Sequence, residues 1–183
     1  MRSPNYHRFT IFVGANDACF RIGNEAIVPI DKYEANLREY VETILIQDCM
    51  PDTKIVLITP PPINIPDPKP DDDPRGLGKE SRGYRTYMNK KRYAEKVMEI
   101  AEFYESTGRV VGLNLWKALI DSALKDQCRL GDEDAYDEER LPGSGMEGAK
   151  CFKKGYFTDG LHFDCLVRKS LFLGIVCSGE VAF

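Results

Sequence analysis

Apolar residues fall into two kinds of pattern along the chain. Short apolar runs at 9–13, 54–59 and 109–115 read as buried strands, and the first two end at Gly14 and Pro60. Between them the spacing becomes helical. Tyr33, Leu37, Tyr40, Val41, Ile44 and Leu45 share one face of a helix over 31–48, opened by a capping box of Asp31 and Glu34. Tyr84, Tyr87, Met88, Val97, Met98, Ala101 and Tyr104 support a second helix, which Gly108 closes. Strand, helix, strand, helix, strand predicts a parallel α/β sheet with right-handed crossovers. The C-terminal strand ends then share one edge, where open α/β sheets bind ligands.

Two segments break the pattern. Residues 60–80 are rich in proline and carry Asp71, Asp72 and Asp73, while 127–154 hold a run of acidic residues followed by Gly143, Ser144 and Gly145. Both are expected as surface insertions on a single domain spanning 1–183. With 183 residues, 43% apolar and 30% charged, the composition suits one globular domain and excludes collagen-like, coiled-coil and wholly disordered chains.

The charge sum, 25 Lys plus Arg against 29 Asp plus Glu, is −4, and the basic residues are scattered apart from Lys90, Lys91 and Arg92. That is the wrong footprint for a nucleic-acid partner. The longest apolar stretch, 171–177, is too short to span a bilayer, and no signal pattern opens the chain, so a cytoplasmic location is expected. Six widely separated cysteines predict free, mostly buried thiols and no metal site.

Only two histidines are available as a base near neutral pH, His7 and His162. His7 precedes the first strand, away from the ligand edge. Asp159 stands three residues before His162, so the two fit one helical turn. There the carboxylate accepts the Nδ1 proton and leaves Nε2 to act as a base. A surface ion pair has the same spacing. After the first strand, Gly14, Ala15, Asn16 and Asp17 make a turn in which Gly14 allows the bend and the Asn16 amide reaches the ligand edge as an oxyanion donor. A plain strand-end turn uses the same residues.

Taken in order, 14–17, the Ile58, Thr59, Pro60, Pro61, Pro62 segment and the Asp159, Gly160, Leu161, His162 segment resemble the SGNH (GDSL-type) hydrolase family. The proline run, Asn114, Leu115, Trp116, the Leu141, Pro142, Gly143, Ser144 segment and Phe163 are most similar to its isoamyl acetate-hydrolysing esterase branch. The resemblance implies a flavodoxin-like, three-layer α/β/α fold that hydrolyses a small ester without metal or organic cofactor. His162 is then the base, Asp159 its partner, Asn16 the oxyanion donor and Gly14 the residue that opens the asparagine turn.

The family's first strand ends in Gly-Asp-Ser and supplies the nucleophile. That strand, the second strand and the loop glycine are not matched here, so an N-terminally truncated domain without a nucleophile, inactive by itself, is expected. Ser3 lies ~20 Å or more from Asn16 along an extended strand. Ser144 lacks the strand-turn-helix setting of a nucleophile elbow and reads as a flexible loop serine. The strand at 9–13 becomes an exposed edge through which the chain self-associates. A non-catalytic, binding or self-associating relic of the family is the alternative. A phosphate-binding module is disfavoured, because no Gly-x-Gly-x-x-Gly or P-loop pattern follows any strand.

Overall fold

Three parallel strands, β1 (Arg8–Phe12), β2 (Lys54–Ile58) and β3 (Val110–Leu113), alternate with helices α1 (Ile30–Leu45), α2 (Arg82–Phe103) and α3 (Leu115–Asp126). The computed structural model describes residues 8–20, 26–65, 78–79 and 81–167. Ser3, His7 and the apolar stretch 171–177 lie outside them. The architecture is the expected α/β/α arrangement, a parallel sheet flanked by helices. Among the described residues it divides into two compact units, one of 8–20, 26–60 and 90–115, the other of 61–65, 78–79, 81–89 and 116–167.

The first unit holds the sheet, in the order β1-β2-β3. Phe9 pairs with Ile55 and Ile55 with Val110; Ile11 pairs with Leu57 and Leu57 with Gly112. Parallel register puts these residues on one face, and Ile11, Ile55, Leu57 and Val110 join Leu37, Val41 and Ile44 of α1 and Val97, Ile100 and Ala101 of α2 in one core. Val56 and Ile58, on the other face, are buried too, as the unbroken apolar run of β2 requires. Gly112 lies so close to Ala101 and Met98 that a Cβ there would stand 2.9 Å from both, which lets α2 approach β3.

α1 starts at Ile30, so its N-cap is Pro29, two residues before the Asp31 that the capping box implies, and proline has no side-chain acceptor to cap it; the Glu34 carboxylate is held by Arg38 at 2.9 Å and Lys96 at 3.2 Å. Its C-terminal end has no basic residue of its own. Arg109 supplies the cation from the start of β3, donating to the carbonyls of Leu45, Thr53 and Met50 at 2.9, 3.0 and 2.9 Å.

β1 is an edge: no second strand pairs with it among the described residues. Phe9, Phe12 and Val13 are 47%, 42% and 41% exposed, and a groove of about 540 Å³ runs beside the strand, lined by Phe9, Ile11, Val13, Tyr40 and Ile44.

In the second unit, α3 was not foreseen. Leu115 begins this helix rather than ending a strand, and Trp116, Leu119, Ile120, Ala123 and Leu124 repeat at helical spacing and are buried. The 127–154 segment is more than a solvated insertion, since Arg129, Ala135, Leu141, Pro142, Gly143, Ser144, Ala149 and Phe152 are all buried. The Tyr87 hydroxyl donates to Pro142 O at 2.9 Å, Ile65 N–H to Gly143 O at 2.9 Å and Phe152 N–H to Asn64 Oδ1 at 2.9 Å. Acidic side chains face outward while these backbone bonds tie the segment down. The opening of the 60–80 loop is likewise inside, with Pro60, Pro61 and Pro62 buried.

The described cysteines Cys19, Cys49, Cys128, Cys151 and Cys165 are free thiols, but none is buried, contrary to expectation. Cys128, for example, sits at the end of α3 in a left-handed conformation, φ 55°, where the chain turns outward.

Candidate functional site

The turn after β1 belongs to the first unit. Gly14 has φ +102°, and a Cβ on it would lie 2.7 Å from the Tyr33 hydroxyl, so both conformation and space require glycine. The Gly14 N–H donates to Asp17 Oδ2 at 3.1 Å, Ala18 N–H returns to Gly14 O at 3.2 Å, and the Tyr33 hydroxyl donates to Val13 O at 3.2 Å. These bonds fix the bend and leave Asn16 exposed at its tip, past the C-terminal end of β1. Burial, reinforced by Asp17 and Tyr93, pushes the Tyr33 phenol far above its ordinary range, so it remains a donor.

Lys90 opens the run of three adjacent cations, Lys90, Lys91 and Arg92. It is nonetheless fully buried on α2, and its ammonium donates to the Ala15 carbonyl. The signal was in the spacing. Tyr87, Lys90, Ala94 and Val97 form one helical stripe, all of it buried.

Asp159 and His162 are in the second unit, brought together as expected but not on a helix. Phe157 and Phe163 form an antiparallel bridge, and the residues between them make a tight loop closed by Thr158 N–H donating to His162 O at 2.9 Å. Gly160, with φ +85°, packs its Cα against the Asn64 carbonyl, where any Cβ would collide. Asp159 Oδ1 accepts from the backbone N–H groups of Leu161 at 3.0 Å and His162 at 2.8 Å, and Oδ2 lies 2.7 Å from His162 Nδ1. A loop replaces the helical turn because these two N–H groups are satisfied by the Asp159 side chain itself.

The His162 N–H, then its ring and the Leu161 N–H, hold the Asp159 carboxyl well below the ordinary aspartate range. A carboxylate that only accepts places the imidazole proton on Nδ1 and leaves the Nε2 lone pair as the basic site. The imidazole is 71% exposed and the carboxylate 56%. A folded-state pKa lowered in this way favours the ordered loop above the unfolded aspartate value, and that contribution is lost as pH falls through the folded pKa. An NMR titration of Asp159 Cγ is therefore expected to show a midpoint well under the ~3.9 of a free aspartate, with the Leu161 and His162 amides shifting in parallel. A midpoint at the ordinary value would remove the hydrogen-bonded loop from the account.

Ser144 is wholly buried, and its Oγ accepts from Met146 N–H at 3.4 Å, so it is a structural serine and not a flexible one. Among the described residues no cluster of three or more His, Cys, Asp and Glu side chains is placed to hold a metal ion. Nor is any helix among them long and apolar enough to cross a membrane.

No family model matches the chain. Two GDSL esterase/lipases of Arabidopsis thaliana are similar to it. One is 29% identical over 166 residues, covering 89% of this chain and 54% of the relative; the other is 30% identical over 155 residues, covering 84% and 51%. The isoamyl acetate-hydrolyzing esterase 1 homolog of Rattus norvegicus is 46% identical over 55 residues, 30% of this chain and 22% of the relative. The chain thus spans about half the length of the two Arabidopsis relatives. These similarities amount to a distant homology with GDSL/SGNH esterases and lipases.

Proposed function

We propose that this chain is part of an SGNH-type carboxylic-ester hydrolase acting on small acyl esters, close to the isoamyl acetate-hydrolysing branch. The observation that carries the reading is the Asp159–His162 pair, its Nδ1 and Oδ2 2.7 Å apart in a loop that itself satisfies the carboxylate. In the reaction, His162 Nε2 takes the proton of a serine hydroxyl as the oxygen attacks the ester carbonyl. Asp159 stabilises the imidazolium that forms, and the same proton passes to the departing alcohol. The Asn16 amide donates to the tetrahedral oxyanion. Among the described residues no serine hydroxyl is hydrogen-bonded to His162, so in this reading they hold the base and one oxyanion donor but not the nucleophile.

The test is to place the Gly-Asp-Ser segment of an Arabidopsis relative ahead of residue 8 and assay p-nitrophenyl acetate. Hydrolysis by the chimera is expected; a folded chimera without it contradicts the reading.

A second reading has its own observation, the exposed apolar edge of β1 with its groove. An unprotected edge pairs with another chain, giving a non-catalytic, self-associating protein. Gel filtration of the 183-residue chain is then expected to give a dimer or larger species. A monomer over the micromolar range rules this reading out.

A further inference from the structure

Lys90 has no part in the reaction described so far, yet it is the cation most completely withdrawn from water in the described structure, its residue exposure being 0%. A buried ammonium demands acceptors. Lys90 finds one in the Ala15 carbonyl, the peptide oxygen immediately before Asn16. Cys19 Sγ donates to the same oxygen at 3.5 Å. That carbonyl and the Asn16 N–H are two ends of one peptide unit, and no peptide bond in the described chain is cis. In a trans peptide they point in opposite directions. The carbonyl is turned inward to Lys90, so the N–H is turned away from it, and Asn16 itself is exposed. No acceptor among the described residues takes the Asn16 N–H.

A cation on a carbonyl oxygen draws electron density from the amide and makes its N–H a stronger donor, as in hydrogen-bonded chains where each bond polarises the next. We propose that Lys90 is a positioning residue for the Asn16 turn: its ammonium fixes and polarises the Ala15–Asn16 peptide, so that the Asn16 backbone N–H joins the side-chain amide as a donor to an anionic oxygen. The inference rests on reading this turn as the oxyanion side of an ester-hydrolysing site. It adds a backbone donor and the buried charge behind it.

The groups around the ammonium set how it titrates. Burial lowers the Lys90 pKa from the ordinary lysine value, and Cys19 and Asp17, both in the turn, act in the opposite direction. Tyr33 of α1 donates to Val13 O beside the turn, and Tyr93, on α2 with Lys90, donates to Val28 O. The Tyr33 phenol, held far above its ordinary range, keeps its proton while Lys90 titrates.

The experiment is an NMR titration of the isotopically labelled 183-residue chain from neutral to alkaline pH. It follows Lys90 Cε, the Ala15 carbonyl carbon and the Asn16 amide. The expected result is one shared midpoint for all three, below that of the solvent-exposed lysines. In Lys90→Met the step at Ala15 and Asn16 disappears. In Cys19→Ala it persists, which separates the ammonium from the thiol on the same carbonyl. Lys90→Gln keeps a neutral donor and so serves if the methionine variant does not fold; there, too, the step is lost. Ala15 and Asn16 signals that stay fixed while Lys90 titrates, or a step that survives in Lys90→Met or Lys90→Gln, overturn the proposal. The readout needs no turnover. An inactive chimera with the shared step intact therefore counts against the ester reading of the site and leaves the Lys90 coupling standing.

Discussion

In a form of this domain that carries a serine nucleophile, His162→Ala is expected to lower kcat on the order of a million-fold. The magnitude follows from what the imidazole alone can do. In the proposed reaction it removes the serine proton in one step and returns it to the leaving alcohol, a role that no other group in the Asp159–His162 loop can take. Asp159 is a carboxylate whose oxygens are already engaged by Leu161 N–H, His162 N–H and the ring. Asp159→Asn is expected to cost less, about 10⁴-fold, through loss of the correct tautomer rather than of the base. Stopped-flow assay of the chimera with p-nitrophenyl acetate measures both. A His162→Ala chimera within tenfold of its parent would mean that the hydrolysis belongs to other residues.

The largest effect on stability is expected at Leu57. It lies in β2, the strand with neighbours on both sides, is 0% exposed and belongs to the core shared by β1, β3, α1 and α2. Leu57→Ala removes three buried carbons and leaves a cavity whose lining cannot collapse, because the β2 backbone is held by strands on either side. The expected loss is about 2–5 kcal/mol, a large share of the roughly 5–15 kcal/mol that holds a typical domain together. Urea denaturation with an unchanged slope measures it. The same substitution at Leu130, 48% exposed, is expected to change stability by no more than about 0.5 kcal/mol.

Elements whose stability comes from a regular apolar pattern were legible in the residues alone. The runs at 9–13 and 54–59 match β1 and β2 to within one residue at each end, but only β2 is buried on both faces; in β1, an edge strand among the described residues, Ile11 alone is buried. α1 was found from its stripe, yet its start was misread. Asp31 and Glu34 have the spacing of a capping box, but Arg38 and Lys96 compete for Glu34, and a distant lysine has no trace in local spacing. Residues 127–154 were misread because their acidic content hides irregularly spaced buried groups. Gly143 O accepts from Ile65 N–H, Phe152 N–H donates to the Asn64 side chain and Ser144 N–H to Leu141 O, so no helical or alternating period marks the buried residues.

The candidate site was legible to the extent that its parts are local. Asp159 and His162 are three residues apart and meet, even though a loop and not a helix joins them. Gly14 and Asn16 share one turn, and the glycine is demanded by Tyr33 as well as by the bend. Lys90 escaped notice because charge suggests solvent. Its position between Tyr87 and Ala94 on a buried stripe pointed inward, and only the carbonyl waiting at Ala15 reconciles the two.

The most direct test of the account is the rate of p-nitrophenyl acetate hydrolysis by the purified 183-residue chain beside its His162→Ala variant, both soluble and folded. The proposed function predicts equal, background rates, because among the described residues no serine hydroxyl is hydrogen-bonded to His162. Hydrolysis that vanishes with His162 would contradict this. It would mean that a serine or an activated water within these residues completes the site.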